Sequence, residues 1–282
     1  KFMNILTAIN GASEVLKKNH VKSAKLDSEI LLSKIIRKDR KYIILNSDKE
    51  LKNNYLTMFN ELIVKRSLGK PIAYLIGKKY FWKYEFCVSK DTLIPRPDTE
   101  ILIDYILKTT KYKSKLRILD IGVGSGCILL SILKEKKNFY GTGIDISNKC
   151  IEISKINASK LDLLSRVKFF KSNVDNFSHG KYDLIISNPP YIEKNKLKYL
   201  EKDVIGFEPK QALDGGIDGL SEISKVINRS SELIKKNGFL ILEIGFDQKY
   251  KVKKILEKKG FYIKKIVRDL SNNDRCIVSI KI

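Results

Sequence analysis

The stretch "RILDIGVGSGCILLSIL", Arg117 to Leu133, constrains the fold more than any other part of this chain. An apolar run of strand length meets glycines at 122, 124 and 126, and an apolar run with helical spacing follows. Glycine lets the backbone turn tightly and approach a ligand closely, so the segment reads as strand, turn and helix. The same alternation continues from about residue 98 onward. Strands are expected at Arg117–Asp120, Phe139–Asp145, Val167–Lys171, Asp183–Ser187, Phe239–Ile244, Phe261–Val267 and Cys276–Ile280. Helical patterns lie between them, for example Gly126–Lys136 and Lys149–Leu161. Such a sequence predicts an α/β fold, a Rossmann-like seven-stranded, mostly parallel sheet covered on both faces. Any ligand is then expected outside the carboxyl ends of the strands.

The region before it has a different period. "SEVLKKN" and "DSEILLSKIIRKD" space their apolar residues at three and four, with Ser13 and Asp27 expected as N-caps. "NNYLTMFNELIVKRSLG" ends at Gly69 with Pro71 just beyond, which predicts a helix stop. Alternating large residues around Lys83 and Tyr84 predict a β-hairpin over Ile76–Val88, and Pro95 and Pro97 hold the following segment extended. The expected domains are a helical bundle over 1–75, a hairpin and extended linker over 76–97, and a ligand-binding α/β domain over 98–282.

The net charge of +23 invites a nucleic-acid reading. It is carried by 46 Lys and only 9 Arg, and divides as +8 up to residue 75 and +15 after it. A charge so spread predicts a solvated Lys-rich surface, and no specific nucleic acid is expected as partner. No apolar run reaches the roughly 18 residues needed to cross a bilayer, and the first residues lack a signal-peptide pattern. A soluble cytoplasmic protein is expected, without a membrane partner, and a monomer. The four cysteines are widely separated, so neither a zinc site nor a disulfide framework is expected.

The glycine turn has the spacing D-x-G-x-G-x-G, with Asp120 ahead of it, rather than the G-x-G-x-x-G that seats a pyrophosphate. A nucleoside without phosphate fits better. Asp145 ends the next strand in "GTGIDIS", where a carboxylate can accept hydrogen bonds from both ribose hydroxyls; the alternative is a plain helix cap. Together these features predict an S-adenosylmethionine site built from Gly122, Val123, Gly124, Ser125, Gly126 and Asp145. The adenine is expected near the end of the third strand, at "KSNVDNF".

The fourth strand runs into "SNPPYI". Proline has no N–H, so Pro189 and Pro190 cannot continue a ladder, and their fixed φ stiffens the turn. Asn188 and the carbonyl of Pro189 are left as acceptors at a carboxyl strand end. Two acceptors suit a planar NH2 group, and Tyr191 can stack over the flat group that carries it. Such a cradle matters because an amide nitrogen is a poor nucleophile, and holding both hydrogens aims it at a methyl donor. Asn188, Pro189 and Tyr191 are the expected catalytic residues. "FEPKQALDGGIDGL" reads as a surface loop rather than a metal loop. Glu243 either lines the crevice or caps the sheet.

With these motifs in order, the chain resembles the protein-(glutamine-N5) methyltransferases that modify peptide-chain release factors, the PrmC/HemK family. The resemblance rests on "DSEILLSKIIRKDR", "RSLGKPIAYLIGKKYFWKYEFCV", "LIPRPDTE", "LDIGVGSGCI", "SNPPYI", "FEPKQALDGGIDGL" and "LEIG". It implies methyl transfer from S-adenosylmethionine to the Gln of a release factor's Gly-Gly-Gln loop, with the helical domain helping to grip that factor. It also implies that Arg96 to Glu100 line the cofactor side, that Asn188 touches cofactor and Gln amide alike, that Pro189, Pro190 and Tyr191 complete the substrate pocket, and that the adenine lies by Asn173 and Val174. One departure is that Asn173 and Val174 stand where the family pattern suggests an Asp and an aromatic or apolar residue. An adenine-N6 methyltransferase of DNA or RNA is the runner-up, favoured by the charge and by "NPPY", which such enzymes share; against it, no separate target-recognition domain is expected after the catalytic one, and the charge split points to no basic channel for a flipped base. A non-catalytic binding module is the third possibility, disfavoured by the intact motifs.

Overall fold

The computed structural model describes residues 3–282, which form two compact units. One runs up to Gly77 and takes in Glu201–Phe207; the other comprises Lys78–Leu200 and Glu208–Ile282.

The first unit is helical: α1 (Ile5–Lys18), α2 (Ala24–Ile36), α3 (Arg40–Leu45), α4 (Asn53–Ser67) and α5 (Ile72–Ile76), with the later segment adding α9 (Lys202–Ile205). Its core gathers Leu16, Leu31, Leu32, Ile43 and Phe59, each 1% exposed or less. Gly69 takes φ +96°, which ends α4 as its sequence predicts. The two expected N-caps are corrected. Asn4 caps α1, accepting from the Thr7 N–H at 2.8 Å, and Ser13 lies buried inside the helix. Ser23 is the cap residue of α2, and Asp27 sits in the first turn, where its carboxylate accepts from Ser23 Oγ at 2.9 Å and Arg66 Nε at 2.7 Å. Asp27 thus joins α2 to α4 through a buried pair, a contact that local spacing does not disclose.

The second unit opens with the hairpin of β1 (Lys78–Phe81) and β2 (Tyr84–Cys87). After a 3-10 turn at Pro97–Thr99 come α6 (Glu100–Thr109), β3 (Arg117–Ile121), α7 (Cys127–Glu135), β4 (Tyr140–Asp145), α8 (Asn148–Lys160), β5 (Val167–Lys171) and β6 (Tyr182–Ser187). The chain finishes with α10 (Ser221–Leu233), β7 (Ile234–Glu243), α11 (Lys249–Lys258), β8 (Phe261–Arg268) and β9 (Asp274–Lys281).

The seven strands β3 to β9 form one sheet in the order β5-β4-β3-β6-β7-β9-β8. All pairings from β5 to β7 are parallel, and β9 runs antiparallel to both its neighbours. Inward-facing residues alternate as a sheet buried on both faces requires. Ile118, Leu184, Ile186 and Ile241 pack into one core with α6, α7 and the hairpin, whereas Leu119, Ile185, Leu240 and Leu242 pack into the other with α10 and α11. β7 begins five residues before its expected start, because buried Ile234 pairs with Tyr182 across a β-bulge. The glycines of β4 serve packing: a Cβ at Gly141 would stand 2.9 Å from Leu129 Cδ1, and one at Gly143 would stand 2.8 Å from Phe169 and Val123.

The chain winds from β3 outward to β4 and β5, then returns to place β6 on the other side of β3. The carboxyl ends of β3 and β6 therefore flank the switch point, the place where open α/β sheets leave a crevice.

Candidate active site

A cleft of about 640 Å³ opens at that switch point. This volume lies within the range of small-molecule sites. Its floor is the turn after β3. Gly122 and Gly124 adopt φ +77° and +56°, and a Cβ at Gly122 would meet nothing within 4 Å. Both glycines line the cleft, so their missing side chains leave backbone and open space where a ligand can approach. Gly126 is different. It has φ +80°, it is not among the lining residues, and a Cβ there would stand 2.9 Å from Leu130 Cδ1 and 3.2 Å from Ser154 Oγ. Its role is close packing at the start of α7. Of the expected cofactor residues, Gly122, Val123, Gly124, Ser125, Asp145, Val174 and Asn188 line the cleft, and Gly126 does not.

The loop is held from behind. Gly122 and Val123 both donate to the Ile144 carbonyl at 2.9 Å. Ser154 Oγ donates to the Gly124 carbonyl at 2.9 Å. Asn157, on α8 and 1% exposed, donates to the Ser125 carbonyl at 2.8 Å and the Cys87 carbonyl at 3.0 Å, and accepts from the Cys87 N–H at 2.7 Å. One side chain thus clamps the hairpin to the glycine loop. Neither Ser154 nor Asn157 is singled out by sequence pattern, because each acts on a residue 30 or more positions away.

Asp145, at the end of β4, accepts from the Gly124 N–H at 3.0 Å and the Ser147 N–H at 2.9 Å. Burial raises its pKa, while these N–H groups pull it back toward the carboxylate. Its fixed oxygens have lone pairs left for a ligand's hydroxyl groups. Asp120, one strand over, is 1% exposed, with its carboxyl oxygens buried and the Leu129 N–H beside them. Burial above all, with the nearby Asp145 charge, pushes its pKa up to about 8, so it is mainly protonated at neutral pH.

The other wall comes from the end of β6. Ser187 Oγ donates to the Ile121 carbonyl at 2.7 Å and ties the two strand ends together. Asn188, Pro189 and Pro190 line the cleft. Asn188 Nδ2 donates to Thr99 Oγ1 at 3.4 Å. Tyr191 is not among the lining residues; its hydroxyl donates to Glu243 Oε1 at 3.3 Å and accepts from Arg275 Nη1 at 3.4 Å.

Among residues 96 to 100, Arg96 and Thr99 line the cleft, while Glu100 accepts from the Trp82 N–H at 2.8 Å and anchors the hairpin. "FEPKQALDGGIDGL" is more than a surface loop. Glu208 is 6% exposed and accepts from Arg96 Nη2 at 2.5 Å and the Ile94 N–H at 3.1 Å. Pro209 to Ala212 and Asp214 line the cleft. Glu243 sits behind the Asn188 turn, 2% exposed, and accepts from Thr99 Oγ1 at 2.7 Å.

The donor set fits S-adenosylmethionine: an open glycine loop, an acceptor carboxylate at the next strand end, the apolar Val174 and Ile146, and acceptors at Asn188 and Pro189. No helix among the described residues is long and apolar enough to cross a membrane.

A family model described as PrmC N-terminal domain matches residues 7–77, and one described as methyltransferase small domain matches residues 97–263. A release factor glutamine methyltransferase of Buchnera aphidicola subsp. Acyrthosiphon pisum is 40% identical over 267 residues, 95% of each chain. Another, of Clostridium acetobutylicum, is 36% identical over 282 residues, 99% of each chain. The crystal structure of a ribosomal protein L11 methylase from Lactobacillus delbrueckii subsp. bulgaricus shares the fold at a TM-score of 0.50 and 18% identity, covering 67% of this chain and 81% of that one.

Proposed function

Because the chain belongs to the S-adenosylmethionine-dependent release factor glutamine methyltransferases, we propose that it methylates the side-chain amide nitrogen of the Gln in the Gly-Gly-Gln motif of class-1 peptide-chain release factors. The observation that carries this reading is that Asn188, Pro189 and Pro190 share one cleft with the glycine loop and Asp145. When bound, S-adenosylmethionine supplies an electrophilic methyl group. The chain's own residues do the positioning. Gly122 to Ser125 would give the donor's amino-acid part a backbone surface, Asp145 would accept from its ribose hydroxyls, and Val174 would pack against its adenine.

The substrate amide is held by two acceptors, Asn188 Oδ1 and the Pro189 carbonyl. Neither Pro189 nor Pro190 has an N–H to compete with it. Fixing both amide hydrogens turns the nitrogen toward the methyl donor, and positioning of this kind can account for several powers of ten in rate. Tyr191, held at its hydroxyl by Glu243 and Arg275, stiffens the far side of the turn.

Asn188→Ala removes one of the two acceptors. Turnover is expected to fall at least about 100-fold while the melting temperature stays near that of the unmodified protein. Near-normal turnover in that variant would remove the basis for the cradle.

A further inference from the structure

Thr99, Glu243 and Asn188 form a chain of hydrogen bonds whose direction is set by chemistry. Glu243 Oε2 accepts from Thr99 Oγ1 at 2.7 Å, and Thr99 Oγ1 accepts from Asn188 Nδ2 at 3.4 Å. A carboxylate has only lone pairs, so the one hydroxyl proton of Thr99 is committed to Glu243. The side of Thr99 facing Asn188 then carries lone pairs alone. Only the NH2 end of the Asn188 amide can meet it, which leaves Oδ1 at the opposite end of the amide.

We propose that Glu243, acting through Thr99, is a positioning residue that sets the Asn188 amide so that Oδ1, not Nδ2, meets the substrate's NH2 group. The inference rests on Asn188 being the amide cradle. Its physical content is that a flipped Asn188 would present N–H donors to the donors of the substrate amide. Glu243 lies 144 positions from Thr99 and outside the cleft lining; it holds the Tyr191 hydroxyl at 3.3 Å on one oxygen and reaches Asn188 through Thr99 on the other.

The relay has a pH dependence. Several groups face Glu243: Asp98 and Thr99 from the 3-10 turn, Tyr191 after β6, and Arg275 and Cys276 from β9, with Asp269 bound to Arg275 at 3.0 Å. Burial raises the Glu243 pKa to about 7; Thr99, Arg275 and Tyr191 pull it down and Asp98 pushes it up. Above that pH the carboxylate enforces the Thr99 direction. Below it, a protonated Glu243 can donate to Thr99, the Thr99 proton is free to turn to Asn188, and the constraint on the amide is lost. The expected consequence is a fall in kcat on the acid side of about pH 7. In Glu243→Gln the Gln carbonyl can accept from Thr99 at every pH, so the acid limb disappears.

The test measures kcat, KM for the release factor and the cofactor Kd for the unmodified protein, Thr99→Val, Thr99→Ser and Glu243→Gln between pH 5.5 and 9. Thr99→Val is expected to lose about 10- to 100-fold in kcat with both affinities within about threefold. Thr99→Ser restores kcat to within about threefold, and Glu243→Gln turns over without the acid limb. Full kcat in Thr99→Val, or an unchanged acid limb in Glu243→Gln, would overturn the relay. Failure of the unmodified protein to methylate the Gln, or activity persisting in Asn188→Ala, would instead overturn the cradle on which the relay rests.

Discussion

Asn157 offers the sharpest test of how the site is held. Replacing it with Ala removes three hydrogen bonds, of 2.7, 2.8 and 3.0 Å, made by a side chain that is 1% exposed. An orphaned buried polar group costs about 1–3 kcal/mol. The Ser125 carbonyl is in a buried bond and takes the larger share, while the Cys87 groups are partly buried and can recruit water. A total near 3 kcal/mol follows, which for a domain of this size lowers the melting temperature by roughly 6–12 °C. Thermal denaturation by circular dichroism reads this directly. Asn157→Asp has nearly the same shape but sets a negative oxygen against two carbonyls, so at pH 7 it is expected to melt below Asn157→Ala. Because Ser125 lines the cleft, cofactor affinity measured by calorimetry should also weaken about tenfold, the equivalent of roughly 1.4 kcal/mol. A melting shift under about 2 °C in Asn157→Ala would refute the clamp.

Three further outcomes follow from the geometry. Gly126→Ala places a Cβ 2.9 Å from Leu130 Cδ1 at φ +80° and is expected to cost about 2–4 kcal/mol, whereas Gly11→Ala, with nothing within 4 Å inside α1, should stabilise by about 0.5–1 kcal/mol; chemical denaturation of both variants compares them. Arg96→Ala should destabilise more than Glu208→Gln, because the Glu208 side chain is 1% exposed and would be left as an uncompensated charge, while Arg96, at 38%, can hydrate; equal melting points would contradict this. The folded-state pKa of Asp120 lies above its unfolded value, so its contribution to stability is fully present at low pH and is lost as pH rises from about 4 through about 8; Asp120→Asn should flatten that decline in melting temperature between pH 5 and 9, and an unchanged slope would refute it.

Much of this fold is legible from local pattern. The strands of the large sheet, the hairpin turning at Trp82 and Lys83, and the helix stop at Gly69 all follow from period and turn chemistry within a few residues. The glycine loop, Asp145 and the Asn-Pro-Pro turn are equally legible, because each is a local departure from a regular element at a strand end. What local pattern misses is paired across long stretches of chain. Ser13 and Asp27 look like caps, yet Asp27 is committed to Arg66, 39 positions away. Glu208 looks like part of a polar loop, yet it holds Ile94 and Arg96, 114 and 112 positions away. Asn157 has no neighbours in sequence that mark it, since its partners at 125 and 87 meet it only once α8 packs. Gly126 shares the spacing of Gly122 and Gly124, and only three-dimensional packing separates its role from theirs.

If the cleft acts on a glutamine amide, one substrate alone should take up the methyl group. The direct measurement is incorporation of labelled methyl from S-adenosylmethionine into a class-1 release factor, into the same factor with the Gly-Gly-Gln glutamine changed to Ala, and into DNA and RNA. Label in the unmodified factor alone is the predicted result. Label persisting in the Gln→Ala factor, or entering nucleic acid instead of protein, would contradict it.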